Sequence, residues 1–210
     1  VPVEVRVIGT VEAFSTVAVK SQVTGELKEV HFKEGDEVKS GDRLFLVDPR
    51  PFEWELKRVE ANLQRNVAQG KQAQANLARD SAQAKLAGVE AERFERLVEQ
   101  GIVAREEYDR ARANLDALEA VVNADRAAIE NSEQAVHADR AAIENVRLQL
   151  DYSSIKSPIS GRTGSLMVHQ GNVVRANETP LVTINQISPL YVGFAVPEQT
   201  LPDIKKYMAA

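Results

Sequence analysis

The sequence predicts an α+β protein: a β domain split into two similar halves, with a long antiparallel helical hairpin between them. Three observations carry this. The texture changes from strand to helix and back. The helical stretch keeps a seven-residue apolar period. The two strand-rich flanks match each other at a constant offset.

The first flank, residues 1–48, is rich in valine, glycine and alternating patterns, which read as short strands. Val3-Glu4-Val5-Arg6-Val7 is such an alternation, so the chain reads as the interior of a longer protein, with any export signal or anchor removed. Asp48-Pro49-Arg50-Pro51 marks the entry to the helices. Asp48 is a helix cap, and proline is tolerated in a first turn.

Residues 52–150 hold no proline and only three glycines, Gly70, Gly88 and Gly101. On the first arm Leu56, Leu63, Gly70, Leu77, Ala84, Ala91 and Val98 recur every seven residues; on the second, Leu115, Val122, Ile129, Val136, Ile143 and Leu150 do so. The octet Ala-Asp-Arg-Ala-Ala-Ile-Glu-Asn occurs at 124–131 and again at 138–145. A sustained seven-residue period predicts a coiled-coil seam, thin where it holds Ala and Gly. A second row, Leu118, Asp125, Ser132, Asp139 and Val146, is polar enough to predict that part of each helix faces water or a neighbouring copy. The arms break at Glu99-Gln100-Gly101-Ile102-Val103, where Gly101 is the natural stop. A short connection folds long helices antiparallel. Each arm, close to fifty residues long, reaches roughly 70 Å at 1.5 Å per residue. Trp54 is expected to anchor the hairpin root.

Strand texture returns after residue 151, punctuated by Pro158, Pro180, Pro189 and Pro197. Val19-Lys20-Ser21-Gln22-Val23-Thr24-Gly25 aligns with Ile155-Lys156-Ser157-Pro158-Ile159-Ser160-Gly161, an offset of 136 positions. The match runs on through Gly35 and Gly171, Val38 and Val174. One inserted residue later it pairs Leu44 with Leu181 and Val47 with Ile184. Residues 19–48 and 155–184 therefore read as two halves of one pseudo-symmetric domain. Insertion at an exposed turn is the tolerated place for a hairpin.

Composition narrows the function. The net charge of -5, with no basic cluster, argues against a nucleic-acid surface. No cysteine means no disulfide, thiolate zinc site or cysteine nucleophile. His31, His137 and His169 are far apart and lack metal-ligand spacing. Paired carboxylates such as Glu106-Glu107 sit at solvated helix positions, without the shielded pocket that acid–base chemistry needs. No nucleophile elbow, P-loop or dinucleotide fingerprint is present. The expectation is a non-enzymatic protein with no catalytic residue, cofactor or metal.

A split β domain with turns such as Lys33-Glu34-Gly35-Asp36-Glu37-Val38 and Ser40-Gly41-Asp42 resembles a biotinyl/lipoyl-like sandwich. With the hairpin inserted, the whole chain resembles the HlyD/AcrA family of membrane fusion proteins, or periplasmic adaptors, and most of all those of RND-type efflux pumps. Gly9-Thr10-Val11-Glu12, Val23-Thr24-Gly25, Leu46-Val47-Asp48-Pro49-Arg50-Pro51-Phe52 and Ile155-Lys156-Ser157-Pro158-Ile159-Ser160-Gly161 carry the likeness. The resemblance implies a partial β-barrel domain at 1–16 and 185–210, with a short helix from Glu198 to Met208. It implies a sandwich at 17–48 and 152–184 and a hairpin at 49–151. It further implies a periplasmic adaptor held at the inner membrane, linking an inner-membrane efflux pump to a TolC-type outer-membrane channel. Self-association into a ring, trimer or hexamer, and transport of drugs or other small toxic compounds follow from the same likeness.

RND-type adaptors carry a tip pattern of Arg, Leu four residues on and Ser seven further. Here those positions are Arg93, Leu97 and Ala104, so the serine is replaced. With Gly101 and Ile102 they make up the expected channel-docking tip. An ABC or MFS exporter as partner is the alternative. A lipoyl or biotinyl carrier is disfavoured, because the hairpin replaces the lysine-bearing turn and Asp48-Pro49-Arg50-Pro51 holds no lysine.

Overall fold

The computed structural model describes residues 7–195, and the fold is α+β as the sequence predicts. Contacts divide the chain into two compact units: residues 52–147 form one, and the segments before and after them form the other. The helix from Glu198 expected within the last residues lies outside the described range.

The β unit contains β1 (Gly9–Ala13), β2 (Thr16–Lys20), β3 (Gly25–Val30), β4 (Glu37–Val38) and β5 (Arg43–Val47) before the helices. After them come β6 (Ser154–Lys156), β7 (Gly161–Thr163), β8 (Val173–Val174), β9 (Pro180–Asn185) and β10 (Leu190–Phe194). Two four-stranded sheets have the orders β2-β9-β7-β4 and β6-β5-β3-β8. The 136-residue repeat converts one order into the other, so each sheet is the image of its mate and takes two strands from each half.

Hydrogen bonds repeat the same symmetry. Gly35 N–H donates to Thr163 O at 3.1 Å, and its counterpart Gly171 donates to Leu27 O at 2.8 Å. Gly41 N–H donates to Ser157 O, and Asn177 N–H to Ser21 O, both at 2.8 Å. The Ser21 and Ser157 hydroxyls donate to the carbonyls of Val23 and Ile159 at 2.5 and 2.6 Å. Both serines are buried, so these bonds remove the cost of an unpaired hydroxyl.

The core lies between the sheets. Leu27, Leu44, Phe45, Val47, Leu181, Val182 and Ile184 are fully buried. Phe32 meets Phe45 edge-on at 5.2 Å between ring centroids. Gly25 and Gly161 occupy equivalent strand starts where no side chain fits. A Cβ on Gly25 would lie 2.6 Å from Val47 Cγ1, and one on Gly161 would overlap the Asn185 carbonyl oxygen.

Outside the sandwich, β1 and β10 pair antiparallel over five residues, from Gly9 with Phe194 to Ala13 with Leu190. Phe14 stacks on Tyr191 at 5.1 Å. Val11, Tyr191, Val192 and Phe194 are all more than half exposed.

The helices are α1 (Arg50–Glu99) and α2 (Arg105–Ser153). Asp48 caps α1: its Oδ1 accepts the Arg50 N–H at 3.1 Å, and its carboxylate also takes the Arg50 guanidinium. That bond to Arg50 is the main reason the Asp48 pKa falls to about 2. Within the hairpin unit, Val59, Ile143 and Val146 form an apolar cluster with Leu56, Leu63 and Ala142 against it. No described helix is long and apolar enough to cross a membrane.

Two expectations are corrected. The polar row of α2 points into the seam, because α1 supplies polar partners for it. Asn66 Nδ2 donates to Asp139 Oδ2 at 2.6 Å. Ser132 fills the space left by Gly70, where a Cβ would come within 2.9 Å of its hydroxyl. Asp125 faces Asp80, which is 5% exposed and held by the guanidinium of Arg79 at 2.7 Å. Trp54 does not anchor the root: it is 72% exposed.

Candidate functional site

The predicted site is the turn between the arms, and backbone hydrogen bonds define it. Ile102 N–H donates to Leu97 O and Gly101 N–H to Val98 O, both at 2.9 Å. This pair of bonds is the Schellman C-cap, which needs a left-handed residue at the second-to-last position. Gly101 supplies it with φ of 69°. The motif closes two carbonyls that the helix end leaves open, and it clamps Ile102 three residues beyond the end of α1.

The predicted residues are brought together unequally. Arg93 and Leu97 lie one turn apart on α1, Arg93 exposed and Leu97 half-buried. Leu97 and Ile102 are tied through the cap, and Ile102 is 63% exposed. Ala104 precedes α2 and is exposed. Its carbonyl accepts the Glu107 N–H at 3.1 Å, but its methyl group offers nothing to the first-turn N–H groups. Among the described residues no side-chain oxygen accepts from them either. Glu106 and Glu107 partly compensate by placing negative charge at the positive end of the helix.

One tip contact is absent from the sequence reading. Tyr108 Oη donates across the turn to Glu95 Oε1 at 3.4 Å, linking the arms about one turn in from the helix ends. Knowing which residues face each other across the turn requires the register of the arms. Among the described residues no group of three or more His, Asp or Glu side chains could hold a metal ion.

A split, two-fold β-sandwich interrupted by a helical hairpin defines a class of hybrid domain. The match with known families places the chain within it: residues 15–185 match the family described as RND MFP, barrel-sandwich hybrid domain. The chain belongs to this family of RND membrane fusion proteins.

Multidrug resistance protein MdtA of Proteus mirabilis (strain HI4320) is 37% identical over 205 residues, 97% of this chain and 43% of the relative. MdtA of Yersinia pestis (strain Pestoides F) is 37% identical over 198 residues, 94% of this chain and 38% of that protein. The chain thus spans less than half the length of these curated relatives. In fold, the chain is similar to the periplasmic adaptor protein EmrA, with a TM-score of 0.55, 18% identity, and coverage of 92% of this chain and 78% of that one. It is also similar to MacA from Actinobacillus actinomycetemcomitans, with a TM-score of 0.53, 24% identity, and coverage of 92% and 56%.

Proposed function

We propose that this chain is the central part of a periplasmic adaptor, held at the inner membrane, that links an RND-type efflux pump to a TolC-type outer-membrane channel. Family membership and the MdtA relatives, named for multidrug resistance, support drugs and other small toxic compounds as the transported class. We assign residues 17–48 and 152–184 to the lipoyl-like sandwich, 49–151 to the hairpin, and 1–16 with 185–210 to a partial β-barrel. The protein acts without catalysis, by geometry. Copies associate into a ring, trimer or hexamer, and the tips engage the channel. Many modest contacts multiply with copy number.

The observation that carries the docking reading is the capped tip. Arms of 50 and 49 residues end in a hydrogen-bonded turn that holds Ile102 out in solvent, with Arg93, Leu97, Gly101 and Ala104 around it. A rigid apolar projection binds without an ordering cost. The lack of cysteine permits a clean test by Ile102→Cys in the full-length parent protein, in cells. Gly101 is unsuited to the probe, because its positive φ strains any side chain. Cross-linking is expected to capture an outer-membrane channel. Capture of sister copies alone from a correctly exported protein refutes tip docking.

A further inference from the structure

The outward faces of the two helices, turned away from the seam, carry opposite charge. On α1 these rows hold Lys57, Arg58, Arg65, Lys71, Arg79 and Lys85, all exposed, and no carboxylate between residues 57 and 89. The only acids in that stretch, Glu60 and Asp80, sit beside and within the seam. On α2 the outward rows between residues 113 and 148 hold Asp116, Glu130 and Glu144, all exposed, and no Lys or Arg. The basic residues of that stretch, Arg126, Arg140 and Arg147, lie in the row flanking the seam, where Arg147 approaches Glu60 of α1 at 3.8 Å.

The two charged stretches are level with each other. Asn66 meets Asp139 and Asp80 meets Asp125, so residues 57–89 stand at the same height as 116–148. Between the charges, exposed Ala61, Ala68, Ala75 and Ala82 on α1 and Ala120, Ala127 and Ala141 on α2 leave room for close approach of a helix. Among the described residues no ion pair engages Arg65, Lys71, Lys85 or Glu130, whereas Arg58, Arg79, Asp116 and Glu144 pair within their own helices with Glu55, Asp80, Arg112 and Arg147.

We infer that the basic face of α1 packs against the acidic face of α2 of a second copy of this chain pointing the same way. This rests on the ring proposed above and names the faces that meet within it. Copies pointing the same way set α1 of one antiparallel to α2 of the next, charge against opposite charge at each level. The alternatives bring like charges together: α1 on α1 gathers six cations, and α2 on α2 gathers the carboxylates. Such repulsion selects partners as effectively as attraction does. The contact is therefore head-to-tail, the kind that closes into a ring when its rotation permits.

The test uses the full-length parent and two surface triple variants, Arg65→Glu/Lys71→Glu/Lys85→Glu and Asp116→Lys/Glu130→Lys/Glu144→Lys. Self-association is measured by sedimentation at low and high salt, with circular dichroism confirming the helices. Each triple variant alone is expected to associate about tenfold more weakly, from several exposed pairs of modest strength. The chain carrying both is expected to recover, and the parent to weaken in high salt. A parent that associates indifferently to both reversals overturns the contact and leaves the ring standing. A parent that stays monomeric overturns both. Unchanged association with lost drug resistance assigns these faces to another protein and also overturns the contact.

Discussion

The two units bury their interiors differently. Between the sheets of the β unit, Leu27, Leu44, Phe45, Val47, Leu181, Val182 and Ile184 make a dry apolar core, and the buried serines donate to local carbonyls. The hairpin seam alternates apolar layers with polar ones: Asn66 with Asp139, Gly70 with Ser132, and Asp80 with Asp125. One Asp125 oxygen, Oδ2, is buried with no hydrogen-bond partner. Two ionised carboxylates can only accept, so a hydrogen bond between Asp80 and Asp125 requires a proton on one of them. Burial pushes the Asp125 pKa up, reinforced by Asp80, while the Arg79 guanidinium holds that of Asp80 down. The β unit thus draws its stability from apolar area, whereas the hairpin gives up part of that in exchange for a fixed register between its arms. A polar residue in a coiled-coil seam specifies register at a cost in stability.

Phe45→Ala separates the two units most strongly. Emptying a fully buried aromatic site costs about 3–5 kcal/mol. Hydrogen exchange is expected to show the loss across β3, β5 and β6 while the helix midpoints keep their protection. Equal loss in both units would erase the contrast.

Gly101→Ala acts on the hairpin alone. A non-glycine residue in the left-handed region costs about 1–2 kcal/mol. Thermal unfolding followed by helix signal is expected to fall, with fraying concentrated at 96–108. Ala104→Ser works in the opposite direction, supplying the missing cap of α2. A gain of about 1 kcal/mol is expected, read as slower exchange in the first turn of α2.

The smallest effect is the titration of the seam. The folded-state pKa of Asp125 is raised, so its contribution is complete below the ordinary 3.8 and declines as pH rises above it. The folded-state pKa of Asp80 is lowered, so its contribution is present above 3.8 and lost as pH falls below it. On these two groups the hairpin is most stable near that value and weakens toward neutrality. Asp125→Asn is expected to flatten the upper limb of an exchange-versus-pH profile for residues 76–84 and 121–129. A profile unchanged by the substitution would mean that Asp125 does not govern it.

The β unit was readable from sequence because its halves repeat. Matched positions such as Val38 and Val174, or Leu44 and Leu181, disclose both the buried face and the pairing of the halves. Gly101 announced the turn, since a stop between two heptad arms leaves few alternatives. The seam was only half legible. Asp125, Ser132 and Asp139 resemble a solvated row when one arm is read alone. Their burial follows from polar or small residues facing them on the other arm, and that register is a property of the pair. Trp54 misled for the opposite reason, since a large aromatic near a helix start suggests packing, yet its side chain is exposed.

Each four-stranded sheet takes two strands from before the helices and two from after them. A chain made from its N-terminus therefore has no complete four-stranded sheet until β8 has been synthesised, and the second waits for β9. The first half, with Leu27, Leu44 and Phe45, waits with its apolar faces uncovered through about a hundred residues of synthesis. Local helix contacts form early, whereas distant strand pairings form late. Closure of the hairpin, which brings the two halves within reach of each other, is thus the event that decides whether the waiting strands find their mates or associate wrongly.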